Sequence, residues 1–296
     1  MESARSNGAH EDRVLRALTD DNTFRVITVD ATSTVQGVLA AQNATGAAAN
    51  IFAELVTGAI LVRETMSPDL RVQAILQSGV SPDWSWRMIA DAHPEGLTRG
   101  LLQQRESGKD TPLSLGPSAR LQVARTLHNG TLHQGVVEAA AEGGISGALM
   151  AYMQSSEQVV SIIAVGVHEE AGKIVAAGGY VVQLMPELGE GPLAIMTERL
   201  RHFDSIEKLL ANGDAEPHKL MSELLYGIPY AEVGQSKVHF GCNCSRERIL
   251  ATLSTLPRAD LQELLAAGTP VEMSCDYCNT RYVVEPVVLR GLVDQN

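Results

Sequence analysis

Cysteine is missing from the first 241 residues of this 296-residue chain, and only four occur in all. A disulfide framework through the main body is therefore excluded. The chain also lacks a long apolar run: its most apolar stretch, 44–62, is interrupted by Asn50, Glu54 and Thr57, so no membrane span is expected. The opening Met1-Glu2-Ser3-Ala4-Arg5-Ser6 is polar, without an apolar signal region. Together these absences predict a reducing, cytoplasmic setting with no membrane partner. Basic side chains are scarce, 23 against 35 acidic, for a net charge of −12. That balance argues against a nucleic-acid partner, because neutralising phosphates takes clustered Lys and Arg. Catalytic signatures are wanting too. Ser155-Ser156 has no Gly-x-Ser-x-Gly setting, Gly143-Gly144-Ile145-Ser146-Gly147 lacks both the Gly-Lys-Ser/Thr ending and dinucleotide spacing, and the eight histidines form no His-Glu-x-x-His pattern. Residues 10–186 hold no recognisable acid, base or phosphate-binding set, so the chain is not read as an enzyme.

Three parts emerge from the patterning. Residues 1–186 read as an α+β domain with mostly antiparallel strands and helices, after a disordered start to about Ala9. Its expected strands are 24–31, 71–76, 113–115, 122–126, 132–138, 159–167 and 174–184. Apolar spacings of three and four predict a buried helix over 34–64, broken near Thr45-Gly46, and a further helix covers 147–154. Pro186-Glu187-Leu188-Gly189-Glu190-Gly191-Pro192 then marks a boundary. Residues 187–235 read as a helical linker. Met196, Leu200, Phe203, Ile206, Leu209 and Leu210 line one helix ended by Asn212-Gly213, and Pro217 opens a second that carries Leu220, Met221, Leu224 and Leu225. Short amphipathic helices are marginal in water, so these faces need a surface to dock on.

The third part, 236–296, holds every cysteine: Cys242 and Cys244, then thirty residues, then Cys275 and Cys278. Two close thiol pairs on either side of a helical stretch are what a tetrahedral Zn²⁺ site uses, each pair forming one knuckle. Ser245 is placed to cap a helix that Pro257 breaks, a second helix runs to Ala267, and strands 271–273 and 281–285 flank the second pair. About sixty residues with so small a core depend on metal for their fold. The module carries six basic and seven acidic residues, which leaves no basic face for nucleic acid.

The chain resembles the redox-regulated 33-kDa heat-shock chaperone family, bacterial holdases that are inactive with zinc bound and active once oxidised. The resemblance is carried by Cys242-Asn243-Cys244-Ser245-Arg246-Glu247-Arg248, by Cys275-Asp276-Tyr277-Cys278-Asn279 with Tyr282, by Tyr152-Met153-Gln154-Ser155-Ser156-Glu157-Gln158, by 130–137, and by Gly178-Gly179-Tyr180-Val181-Val182-Gln183-Leu184-Met185-Pro186. These cover most of 120–296. In the first third the chain departs from the family, with Gln42-Asn43-Ala44-Thr45-Gly46 in place of a Ser-Pro-rich helix entry and Thr98-Arg99-Gly100-Leu101 in place of an Arg-Gly-Tyr motif. What the resemblance implies is a stress-response chaperone for unfolded clients, ATP-independent and homodimeric, that passes clients to ATP-dependent foldases. It also implies one zinc on Cys242, Cys244, Cys275 and Cys278, with disulfides Cys242–Cys244 and Cys275–Cys278 on oxidation. Such bonds close loops of a few residues and constrain the chain little. Pairing between thiols some thirty residues apart would instead preserve a crosslink.

Two other readings compete. One is a purely structural zinc ribbon attached to an enzymatic or nucleic-acid-binding domain; the other is a thiol oxidoreductase using Cys275 and Cys278. The second lacks the strand-then-helix context such motifs occupy.

Overall fold

The computed structural model describes residues 11–79, 84–105, 113–127, 129–185, 190–203 and 205–295. The chain divides into two compact units, Met1–Phe240 and Gly241–Asn296.

In the first unit, strands β1 (Arg13–Thr19) and β2 (Phe24–Asp30) are followed by helices α1 (Thr32–Gln42) and α2 (Gly46–Glu64). The break between the helices falls where the sequence places it: Asn43 adopts a left-handed φ of 51° and Thr45 is extended. Strands β3 (Arg71–Ser78), β4 (Trp86–Ala92), β5 (Leu97–Gln104), β6 (Ala119–Thr126) and β7 (Leu132–Glu138) come next. Helix α3 (Gly144–Tyr152) runs into a π-helical turn, Met153–Glu157, before the hairpin β8 (Ser161–Glu170) and β9 (Lys173–Leu184). Two sheets result, mostly antiparallel: β10-β1-β2-β9-β8, where β10 is Tyr230–Lys237, and β11-β5-β4-β3-β6-β7, where β11 is His239–Phe240.

Helix α2 lies between the sheets, against β3 and β4 of one and β8 and β9 of the other. Phe52, Leu55, Val56, Ala59 and Ile60 are buried there with Ile27, Val29, Val72, Leu76, Met88, Leu121 and Val181. Among the described residues it is the one helix long and apolar enough to cross a membrane, yet 67% of that stretch is inside the protein. Its apolarity is that of a core helix. Its C-terminal carbonyls at Glu64 and Thr65 each accept a 3.0 Å hydrogen bond from Arg25, a cation where the helix dipole favours one.

Alternate side chains of the five-stranded sheet point away from that core. Leu15 and Ala17 of β1, Phe24 and Val26 of β2, and Tyr180 and Val182 of β9 form a second apolar surface, fully covered by helices α4 (Glu190–Arg201), α5 (Ile206–Asn212) and α6 (Pro217–Leu224). Met196, Ile206, Leu209, Leu210, Leu220, Met221 and Leu224 are buried against it. Burying each such side chain is worth about 1.5–3 kcal/mol. The Thr28 hydroxyl donates to the Pro217 carbonyl at 3.0 Å, and Phe203 meets the Tyr180 ring edge-on, centroids 6.2 Å apart. Glycines let the helices come close: a Cβ on Gly166 would sit 2.7 Å from Ile206 Cγ2.

Several expectations are corrected. No strand forms over 113–115; Leu113 and Leu115 pack on the core as a loop leading into the turn at Gly116-Pro117. The single helix expected over 196–212 is two, because Ser205 leaves helical geometry and caps α5, its side chain accepting from the Lys208 N–H. The segment read as linker does not stay helical to 235. It returns to the sheet as β10, antiparallel to β1, and Ser236 and Lys237 belong to that strand rather than to the cysteine module. Strands β1, β4 and β5 have no counterpart in the sequence reading. Of the expected boundary at 186–192, residues 186–189 lie outside the described residues, as does the start to Ala9, while Glu190, Gly191 and Pro192 are not a break but the opening of α4.

The second unit has α7 (Arg246–Leu253), capped by Ser245 as anticipated, α8 (Arg258–Ala266) starting after Pro257, the hairpin β12 (Val271–Ser274) and β13 (Arg281–Val284), and an unanticipated last helix, α9 (Pro286–Gln295). Its buried apolar residues among those described are Leu253, Leu261, Val284, Leu289 and Val293. That core is small for an independent module.

Candidate metal centre

The four cysteines come together at one end of the β12–β13 hairpin. Cys275 closes β12: its N–H donates to the Thr280 carbonyl at 2.9 Å, and its carbonyl accepts from the Asn279 N–H at 2.8 Å. Asn279 supplies the left-handed residue, φ 57°, that reverses the chain after Cys278. Cys242 and Cys244 sit in the irregular segment just before the Ser245 cap, and their sulfurs meet those of the hairpin turn. All four Sγ atoms lie within 4.8 Å of one another. The short sulfur contacts cross between the pairs, Cys242 to Cys275 at 3.7 Å and Cys244 to Cys278 at 3.4 Å. Four thiolates around a tetrahedral ion at about 2.3 Å stand about 3.8 Å apart. The donor set therefore fits one metal ion, and Cys₄ is the soft cage that suits zinc.

Two hydroxyls support the cluster. Tyr282, on β13, donates to Cys244 Sγ at 3.0 Å, and Thr280 Oγ1 lies 3.2 Å from Cys278 Sγ. Burial pushes the Cys275 thiol up to about 12 and raises Cys244 as well. Burial acts on Cys278 in the same sense but is outweighed by hydrogen bonds from Thr280 and the neighbouring thiols, which bring it down to about 7. These hydrogen bonds favour the thiolate at Cys278, and thiolate is the form that binds metal and reacts with oxidants. Hydrogen bonding to Cys244 raises the Tyr282 phenol to about 12, so it remains a donor.

The other residues singled out in the sequence have structural roles. Glu157 accepts a 2.6 Å hydrogen bond from the Tyr152 hydroxyl and pairs with Arg125 at 3.0 Å. Gly143 and Gly144 form the turn into α3, with φ values of 86° and 60°. Among the histidines, His239, three residues before Cys242, is exposed on β11, beside β5. In the sequence Tyr282 stands out only as part of a motif and Thr280 not at all; the signal for both is their two-residue alternation after Cys278.

The comparisons with known proteins agree with this architecture. The family model described as Hsp33 protein matches residues 12–285. This chain belongs to the Hsp33 family. A 33 kDa chaperonin of Syntrophotalea carbinolica is 30% identical over 291 residues, covering 96% of this chain and 99% of that one. Another, from Desulfotalea psychrophila, is 27% identical and covers 96% and 98%. The crystal structure of the 33 kDa chaperonin from Thermotoga maritima superposes with a TM-score of 0.79 over 97% of this chain and 99% of that one; at 23% identity the likeness is one of fold. The chain is thus a member of a chaperone family with an α+β main unit and a cysteine cluster suited to metal.

Proposed function

We propose that this chain is a redox-regulated, ATP-independent holdase whose client surface is the outward face of the five-stranded sheet, covered by α4–α6 in the resting state. One observation carries the reading: a sheet face of Leu15, Phe24, Val26, Tyr180 and Val182 is masked by three short helices that are too short to be stable alone. Undocking them turns a buried layer into an exposed apolar patch of the kind that binds unfolded chains. In this reading residues 1–186 bind clients and dimerise, α4–α6 act as the releasable cover, and 241–296 form the switch. The protein works in the cytoplasm as a homodimer, performs no turnover, and hands clients to ATP-dependent foldases.

Cys242, Cys244, Cys275 and Cys278 would hold Zn²⁺, which when bound supplies the crosslink between the two thiol pairs. An oxidant such as peroxide takes two electrons from a pair of thiolates, which join as a disulfide while the peroxide, with two protons, leaves as two waters. Pairing Cys242 with Cys244 and Cys275 with Cys278 removes all four metal ligands and ties nothing across the module. The sulfur contacts at 3.4 and 3.7 Å run between pairs, and local pairing leaves no bond in their place to hold Cys242-Asn243-Cys244 to the hairpin. Oxidation and unfolding of the module go together for that reason, and raised temperature assists them.

The test is to treat the zinc-loaded protein with peroxide at mildly raised temperature, then follow zinc release, disulfide mapping and suppression of aggregation of an unfolded client. We expect zinc loss, the two local disulfides and client protection. A protein that keeps its metal, that maps as Cys242–Cys275 and Cys244–Cys278, or that loses metal and protects nothing would overturn the proposal.

A further inference from the structure

A cavity of about 500 Å³ opens at the end of β9. Three methionines line it, Met66, Met153 and Met185, and with Leu70, Val159, Val160 and Leu184 they form its apolar part, alongside polar groups that include Arg25, Arg125 and Glu157. Met153 is only 2% exposed and forms part of the core. Met66 and Met185 are half-buried, so two of the partly exposed thioethers of the described chain face one cavity. Met185 continues the sheet by one rung beyond β9, its N–H donating to the Thr23 carbonyl at 3.0 Å. Val160 and Leu184 also line a neighbouring hollow with Leu193, Ala194 and Thr197 of α4. Val160 and Leu184 therefore connect the methionine-lined cavity to the hollow beside the first covering helix.

We propose that Met66 and Met185 are a second oxidation site, whose sulfoxides loosen the covering helices independently of the cysteines. The inference rests on the holdase reading for the oxidant, a hypohalous acid, and for the consequence of undocking. The thioether lone pair takes the oxygen of hypochlorous acid; chloride leaves with the electrons of the O–Cl bond and the hydroxyl proton passes to water. The product is a sulfoxide, polar and larger than the thioether it replaces, beside the apolar pair Val160 and Leu184 that this cavity shares with the hollow under α4. Packing at this site then favours separation of β9 and α4. Thiol reductants that reopen disulfides leave sulfoxides in place, because those require dedicated reductases. Oxidation here is thus remembered after the metal centre has been restored.

The experiment uses the full chain. Zinc-loaded protein is treated with hypochlorite, then with dithiothreitol and zinc until the metal stoichiometry returns, and limited proteolysis within 190–225 is timed. We expect sulfoxide at Met66 and Met185 by mass spectrometry, cleavage about fivefold faster than in never-oxidised protein, and return to the original rate after methionine sulfoxide reductase. The Met66→Leu/Met185→Leu variant keeps volume and apolarity, should match the wild type before oxidation, and should show no residual acceleration; each single variant should show part of it. Absence of sulfoxide at both positions, recovery by thiol reduction alone, or the same residual in the double variant would overturn the proposal. Zinc release and client protection in the oxidised stage report separately on the cysteine switch, so either idea can fail while the other stands.

Discussion

Tyr282 lies four residues past the last thiol, yet its hydroxyl reaches back across the hairpin to Cys244. A hydrogen bond to a ligand sulfur orients the ligand and tempers its charge, and losing such support usually costs ten- to a hundredfold in metal affinity. Tyr282→Phe should therefore weaken zinc binding about tenfold, read by competition with a chromogenic chelator; an unchanged affinity would make the contact incidental. Glu54 is a second informative residue. Burial in α2, reinforced by the nearby charge of Glu207 on α5, lifts its carboxyl to about 7 from 4.5. The folded state then holds the proton more tightly than the unfolded one. This contribution to stability is complete below pH 4.5 and is lost as pH rises through 7. Glu54→Gln should raise the melting temperature of the main unit at pH 8 and leave it nearly unchanged at pH 4, by thermal unfolding followed at both pH values. A variant with the parent's pH profile would contradict the assignment.

At the scale of elements, docking of the covering helices depends on close approach to the sheet. Gly166→Val would drive a side chain into Ile206, and overpacking of this kind costs about 1–3 kcal/mol. Without any oxidant, that variant should bind an apolar reporter dye more strongly and be cut faster within 190–225; parental behaviour in both assays would mean that α5 docking is not close enough to matter. These same elements show what could be read in advance. The apolar faces of α5 and α6 follow a helical period plainly, and the cysteine spacing announced the hairpin. The break at Ser205 was invisible because the apolar period runs on from Phe203 to Ile206, while only the cap geometry interrupts it. Strand β1 was illegible because both its faces are covered: Val14 faces the core and Leu15 and Ala17 face the helices, so no alternation survives. Strand β10 failed for the opposite reason. It is an edge strand whose Glu232, Val233 and Gly234 carry no hydrophobic pattern. The partners of Thr280 and Tyr282 depend on hairpin register, which spacing alone does not give.

The whole molecule combines a small module poor in apolar core with a main unit whose apolar sheet face is covered by marginal helices. Chelation of zinc under reducing conditions should unfold the module without making any disulfide, by loss of helical signal and gain of protease sensitivity in 241–296, since apparent zinc affinities in small modules are about 10–16 kcal/mol. The central claim is that events at four sulfurs decide whether the sheet face is covered. The most direct measurement is hydrogen exchange of the amides in 206–224, compared between the zinc-loaded reduced protein and the oxidised, metal-free protein at one temperature. The account predicts slow exchange there in the first state and its loss in the second, while β2 and β9 beneath stay protected. Equal protection of 206–224 in both states, with the metal gone and both disulfides formed, would contradict it.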